Sequence, residues 1–362
     1  MTKKRVLILF GGRSAEHEVS VISARSVYRA LDRDRYVPVL VGIDGEGNWL
    51  FGGDDEEMLL TKRVMGAQSA LVRLGNRPGE LVARDGADVE SGRFDVVFPL
   101  LHGPYGEDGT VQGLLELAGV PYVGAGVAAS AVGMDKELAR AIFSAAGLPQ
   151  TRFVVIRRSR WRENPSLVVQ EVERAFDYPL FIKPVNLGSS VGISKAHDRD
   201  EMIQGIDSAG VYATKILIEA SVEQAREIEC AVLGEEDPEV SGGGEIIPGA
   251  EFYDYQTKYI DDCATLIIPA DLPGATVKQI QEMSIRTFRA IDCSGLARVD
   301  FLIGQDGEIL LNEINTMPGF TPISMYPKLW AAAGLNYPDL IDRLIQIALA
   351  RHSRRRDLKT TL

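Results

Sequence analysis

The dipeptide Asp306-Gly307 lies between two alternating apolar runs in LARVDFLIGQDGEILLNEINTMPGF, residues 296–320. Asp-Gly in that setting is among the strongest short-range signals for a β-hairpin. A turn centred on the dipeptide without a bulge sets Asp300 opposite Glu313 and Arg298 opposite Asn315. Side chains two apart on a strand point the same way, so all four share one face. Directly opposed carboxylates repel unless a cation lies between them. Asp, Glu and Asn oxygens are hard ligands, and Mg²⁺ takes a few of these while phosphates and water complete its octahedron. A solvated sheet face accounts for each residue singly. A metal with a cationic oxyanion partner accounts for the set.

The chain has 362 residues, 45% of them hydrophobic, enough to bury a large core across two or three domains. Its formal charge of −12 argues against gripping nucleic acid or anionic lipid through phosphates. The start, MTKKRVLILFGG, places an apolar run after basic residues, but the run is too short for a signal peptide and reads as a first buried strand. Residues 113–134 are broken by Glu116, Pro121 and glycines, which speaks against a membrane span. Cys230, Cys263 and Cys293 show no metal-ligand spacing and read as buried thiols of a reducing cytosol. The ending RHSRRRDLKTTL reads as a solvated, frayed basic tail over residues 351–362.

Strands at 5–10, 37–42 and 94–101 alternate with helical patterns at 17–31 and from about residue 108, followed by a short VPYVG strand. That alternation predicts a Rossmann-like parallel α/β domain over residues 1–130. Ligands in such sheets sit beyond the carboxyl ends of the strands, which places GGRSAEHEVS and HGPYGEDGTVQG at the functional edge. A helix at 134–146, the strands TRFVVI, YPLFIKP and KILIEA, and a helix near 198–210 suggest a second unit over residues 131–223. Residues 224–350 are strand-rich and end in helices near 274–291 and 336–350.

FIKPVNLGSSVGISKA, residues 181–196, contains Gly188-Ser189-Ser190-Val191-Gly192 and fits the nucleophile elbow of serine hydrolases. An elbow requires a helix after the serine, whereas VGISKA alternates like a returning strand. The segment therefore reads as a hairpin tip whose glycines let backbone N–H groups approach phosphates, with Ser190 a loop or phosphate-contact residue. No P-loop sequence occurs. Lys183, inside an apolar strand, needs either an anionic ligand or a buried acidic partner. Lys136 and Lys258 stand in other segments, and each alone reads more readily as a surface residue.

GGRSAEHEVS, HGPYGEDGTVQG, MDK, IKPVNLGSSVG, EFYDYQTKY, GLARVDF and NEINTMPGFT occur in the order found in D-alanine–D-alanine ligases, and the resemblance runs from Val6 to about Leu349. It implies an N-terminal α/β domain followed by a two-part ATP-grasp fold, in a cytoplasmic homodimer serving peptidoglycan precursor synthesis. Its cofactors would be ATP and Mg²⁺, two ions with Mn²⁺ as a substitute. By motif, Asp300, Glu313 and Asn315 would hold Mg²⁺, and Lys136, Lys183 and Lys258 would contact phosphates. Glu219 would lie at the adenine hinge and Glu227 at the ribose. Glu16 would hold the amine of the first D-alanine, His102 would lie near its carboxylate, and Ser324 would contact the second D-alanine. Arg298 and the Gly319 N–H would cradle the oxyanion, and Ser189, Tyr259 and Glu16 would form a closing hydrogen-bonded set. EASVEQAREIEC is longer than the family's usual turn and has Ala225 where glycine is common, so the ribose region departs from the pattern. Ligases making D-alanyl-D-lactate generally lack YDYxxKY, so the intact YDYQTKY favours D-alanine; D-serine as second substrate and a non-catalytic ATP-grasp regulator are the alternatives.

Overall fold

The structure is a computed structural model and describes residues 2–61, 63–64, 68–74, 78–83, 87–247 and 265–359. Lys258, Tyr259 and Cys263 lie outside the described residues.

The first strand, β1 (Lys4–Gly11), is apolar because both its faces are covered: Val6, Ile8 and Phe10 join one core, Leu7 and Leu9 another. Strands β2 (Tyr36–Ile43), β3 (Trp49–Gly53) and β4 (Gln68–Ser69) follow on one side, and β5 (Leu71–Val72), β6 (Glu80–Val82) and β7 (Asp88–Arg93) form a separate small sheet. With β8 (Val96–Leu100), the main sheet has the order β4-β3-β2-β1-β8. Only its centre is parallel: β1 pairs in parallel with β2 and β8, while β3 and β4 run antiparallel at the edge. The expected parallel pairing holds at that centre, and the edge departs from it because a tight turn joins β2 to β3, and such a turn permits only antiparallel pairing. Asp44 Oδ1 fixes that turn by accepting from Glu46 N at 2.9 Å and Asn48 N at 2.9 Å. The predicted VPYVG strand is reduced to one parallel bridge between Tyr122 and Val97.

Helices α1 (His17–Ala30) and α2 (Thr110–Leu117) belong to this unit. The predicted 134–146 helix is α4 (Lys136–Ala145), and a separate helix, α3 (Val127–Met134), precedes it across a break at Asp135. Asp135 is extended and caps α4 by accepting from Glu137 N and Leu138 N.

The middle of the chain forms a four-stranded antiparallel sheet in the order β11-β10-β12-β9. Its strands are β9 (Phe153–Arg157), β10 (Leu180–Pro184), β11 (Ser194–Ala196) and β12 (Lys215–Ala220), accompanied by α5 (Arg158–Glu163), α6 (Pro165–Ala175) and α7 (Arg199–Tyr212). Leu180, Ile182, Ile216 and Ile218 share a core with Val168, Met202 and Ile206 of the helices. Strand periodicity then turns Phe181, Lys183 and Glu219 to the opposite face.

Strands β13 (Arg226–Gly234), β14 (Glu239–Ile247), β15 (Thr265–Ile267), β16 (Gly295–Ile303) and β17 (Ile309–Asn315) form an antiparallel sheet in the order β15-β14-β13-β16-β17. Helices α8 (Gly274–Ala290), α9 (Met325–Ala332) and α10 (Tyr337–Arg356) complete the fold. Ile228, Cys230, Val232, Val299 and Phe301 line one face against α8. The other face is divided: Ala231, Leu233 and Leu296 enter the core shared with β1 and α10, while Glu227, Glu229, Arg298 and Asp300 stay outside it. Burial raises the thiols of Cys230 and Cys293 to about 12, consistent with buried, inert cysteines.

The hairpin pairs Arg298 with Asn315 and Asp300 with Glu313, the expected register, but by a different route. From Phe301 onward the partners are Leu311, Leu310 and Ile309, one residue out of step. The turn closes through Gly304 N to Glu308 O at 3.0 Å, which leaves a three-residue loop with Gly307 at φ 82°. The unpaired Asn312 forms a bulge that restores the register before Glu313. The bulge-free turn is therefore corrected.

The frayed-tail expectation is corrected as well. Helix α10 continues to Arg356, and Arg351 is buried, donating to Gly124 O at 2.6 Å and Tyr122 O at 2.9 Å. Farther along, Arg354 pairs with Glu235 and Arg355 with Glu116. At the same junction Gly124 meets Gly295 backbone to backbone, and a Cβ on Gly295 would lie 2.9 Å from Gly124 Cα. Among the described residues no helix is long and apolar enough to cross a membrane.

Candidate active site

A cavity of about 370 Å³ separates the polar face of the central sheet from the polar half of the C-terminal sheet. Lys136, Lys183 and Glu219 line one wall, and Glu227, Arg298 and Asp300 the other.

On the central wall, Glu219 is almost fully buried and pairs with both Lys183 and Arg140. Thr151 Oγ1 also donates to its Oε2 at 3.0 Å. Burial alone would raise this carboxyl, but Lys183 and then Arg140 outweigh it and hold the pKa down at about 2. Lys183 thus has the buried acidic partner that was one of its two alternatives. An ammonium has three donors, so the pair leaves capacity for an anion in the cleft.

Strand β10 leads through the glycine-rich loop into β11, pairing Leu180 with Ala196 and Ile182 with Ser194. The segment is a hairpin with no helix after Ser190, and the elbow reading is excluded. Ser189 and Ser190 take left-handed conformations, φ 50° and 57°, which for non-glycine residues cost about 1–3 kcal/mol each. The loop tip reaches the N-terminal domain, where Ser189 Oγ donates to Glu16. Lys136 Nζ, at the start of α4, donates to Leu187 O of the loop at 2.9 Å and lies 3.5 Å from Glu313 Oε2.

On the C-terminal wall, Arg298 Nε and Nη2 donate to the two oxygens of Asp300 at 2.8 and 2.6 Å. Burial would lower the pKa of this guanidinium, but Asp300, Glu229 and Glu313 raise it well above its ordinary value. Asn315 Oδ1 accepts from Met317 N at 3.1 Å. Asp300, Glu313 and Asn315 thus stand at adjacent paired positions, with two carboxylates and an amide oxygen as donors. This hard-oxygen set fits Mg²⁺ completed by phosphates and water. Among the described residues no three His, Cys, Asp or Glu side chains converge into a complete metal cage, so the set depends on those outside donors.

Near the floor, Ser14 Oγ donates to His102 O at 2.8 Å, tying the two strand-exit loops together. Glu16 is 8% exposed, at the start of α1. The buried His102 ring contacts Met317 O at 3.0 Å through Nδ1 and Ser23 Oγ at 3.3 Å through Nε2, so both nitrogens are engaged by the protein. Burial lowers its pKa, which keeps the ring neutral. Ser324 Oγ accepts from Thr321 N at 3.2 Å at the start of α9, and a Cβ on Gly319 would lie 3.1 Å from it.

Four contributors escaped the sequence reading. Glu229 faces Asp300 across the β13–β16 ladder, and its alternation with Glu227 in REIEC is the same period-two signal that exposed Arg298 and Asp300. Glu107, in the HGPYGEDG loop, accepts from Gly103 N at 2.6 Å, and burial followed by the nearby Glu16 charge raises its pKa well above the carboxylate range. Arg140 carries no local signal, because a basic residue on a helix ordinarily reads as solvated. Asn312 lines the cleft at the bulge, and the bulge-free register hides it by pairing it with the core-facing Phe301.

Two facing antiparallel sheets, with lysines on one wall and carboxylates on the other, define an ATP-grasp enzyme. Residues 5–125 match the D-ala D-ala ligase N-terminus family and residues 142–346 the D-ala D-ala ligase C-terminus family. The chain belongs to the D-alanine–D-alanine ligase family. It is 48% identical to a D-alanine--D-alanine ligase of Acetivibrio thermocellus, covering 97% of each chain. A solved D-alanine-D-alanine ligase from Coxiella burnetii superposes with a TM-score of 0.85 at 36% identity, covering 98% of this chain and 97% of that one. The VanG D-Ala:D-Ser ligase of Enterococcus faecalis gives 0.84 at 34% identity, covering 96% and 100%.

Proposed function

We propose that this chain joins two D-alanines to D-alanyl-D-alanine with ATP, through a D-alanyl phosphate. The observation that carries the reading is the Asp300–Glu313 pair with Arg298 beside it, facing Lys136 and Lys183 across one cleft. In the first step a D-alanine carboxylate oxygen attacks the γ-phosphorus, the bond to the β-bridging oxygen breaks, and ADP leaves. Lys136, Lys183 and Lys258 hold the phosphates, while Glu219 and Glu227 belong to the adenine and ribose ends. Mg²⁺ on Asp300, Glu313 and Asn315 supplies charge neutralisation at the phosphates when bound. Glu16 orients the ammonium of the first D-alanine, and His102 fixes the loop beneath its carboxylate.

In the second step the free amine of the second D-alanine attacks the acyl carbon and phosphate departs. Arg298 and the Gly319 N–H meet the oxyanion. Ser324 and the free N–H groups at the start of α9 suit the carboxylate of the second D-alanine. Acyl phosphates hydrolyse, so water must be kept out. The Ser189–Glu16 contact between the loop and the N-terminal domain supports the latch, with Tyr259 as its third member. The reading extends to two Mg²⁺ ions with Mn²⁺ as a substitute, a homodimer, a cytoplasmic location and a place in peptidoglycan precursor synthesis. Incubation with ATP and D-alanine, then with D-lactate or D-serine added near neutral pH, tests the acceptor. D-alanyl-D-alanine is the expected main product, and a dominant depsipeptide or mixed dipeptide would replace this reading.

A further inference from the structure

Three carboxylates lie in a row across β13, β16 and β17: Glu229 opposite Asp300, and Asp300 opposite Glu313. Arg298 spans the first two. Its guanidinium occupies both Asp300 oxygens, at 2.8 and 2.6 Å, while its Nε lies 3.0 Å from Glu229 Oε2. Lys136 approaches the third carboxylate at 3.5 Å. Three negative charges therefore face two positive ones.

Asp300 has a conflict of duties. A carboxylate whose two oxygens each accept from a guanidinium offers a divalent cation only its outer lone pairs, and turning an oxygen fully to the metal weakens its hold on the guanidinium. That weakening would leave the buried Arg298 short of a partner, and an unpaired buried charge is costly. Glu229, only 7% exposed and already in ion-pair range, stands on the far side of Asp300 from Glu313. We infer that Glu229 is a positioning residue that keeps Arg298 aimed into the cleft while Asp300 turns to a divalent cation. This rests on reading Asp300 as a metal ligand and Arg298 as the oxyanion partner. Glu229 acts through Arg298 and touches no reacting atom.

The test uses the full chain carrying Glu229→Gln, with Glu229→Asp as a second variant that keeps the charge but ends one methylene short. Thermal melting establishes folding, calorimetry follows ADP binding as Mg²⁺ is titrated, and steady-state kinetics are taken at saturating Mg²⁺. For Glu229→Gln, both the Mg²⁺ half-saturation for ADP binding should rise and kcat at saturating Mg²⁺ should fall, each about tenfold, the scale of one lost charge-assisted contact, with KM for ATP unchanged. Glu229→Asp should share the kcat loss, and it carries the test if Glu229→Gln does not fold. Wild-type kcat at saturating Mg²⁺ in the folded variant overturns the inference, even if Mg²⁺ affinity drops, because Glu229 would then contribute only charge. An unchanged Mg²⁺ half-saturation overturns it too. A wild-type protein that makes no dipeptide defeats the functional reading instead, so the two failures are distinguishable.

Discussion

Asp300 and Glu313 stand opposite each other across the β16–β17 ladder, although the turn joining their strands is one residue out of step with that pairing. The bulge at Asn312 absorbs the difference. Without it a strict ladder from this turn would set Asn312 opposite Asp300 and send Glu313 to the core face. The bulge therefore assembles the carboxylate pair.

Glu313→Gln keeps the shape of the side chain and removes its charge. The variant should melt close to wild type, while turnover falls by about 10³ or more, the worth of several kcal/mol of lost charge stabilisation. Thermal melting and coupled ADP release check both halves. Near-normal turnover would remove Glu313 from the metal site.

Arg298→Ala should lower kcat for dipeptide formation by about 10²–10³, the usual loss when one oxyanion partner is removed. It also strands Asp300 and Glu229 in a buried place, so unfolding free energy should drop by about 3–5 kcal/mol. Denaturant unfolding beside steady-state kinetics separates the effects. A variant with wild-type kcat would contradict the oxyanion role.

Ser189→Ala removes the hydroxyl that reaches Glu16 but leaves the hairpin backbone in place. Stability should change little, and kcat should fall with a rise in D-alanine KM as closure weakens. Identical kinetics would eliminate the latch.

Glu219 predicts an acid-limb effect. Its folded pKa of about 2 lies below the ordinary 4.5, so its contribution to stability is fully present above about 4.5 and is lost as pH falls toward 2. The contribution is on the order of 3 kcal/mol. Glu219→Gln should be less stable at neutral pH, with the gap to wild type narrowing below pH 4.5, as followed by urea unfolding at several pH values. A constant gap would mean the ion pairs with Lys183 and Arg140 do not set its charge.

The sequence made the strand faces legible because period-two alternation needs no knowledge of partners. It exposed Arg298, Asp300, Glu313 and Asn315, and it separated the glycine-rich hairpin from a nucleophile elbow. What it could not expose depends on distant packing. Arg351 reads as tail until Gly124, Tyr122 and Ser294 surround it, and Arg140 reads as surface until Glu219 and Thr151 close over it. The Asn312 bulge was hidden for a different reason: two one-residue irregularities cancel, and the simple register gives the same pairs.

The central claim is that this cleft spends ATP to join two D-alanines. Its most direct test measures ADP and D-alanyl-D-alanine in the same reaction, with D-alanine as the sole amino acid and Mg²⁺ present or removed. The account predicts one dipeptide per ADP and neither product without Mg²⁺ or D-alanine. ADP release without dipeptide, or dipeptide formation independent of Mg²⁺, would contradict it.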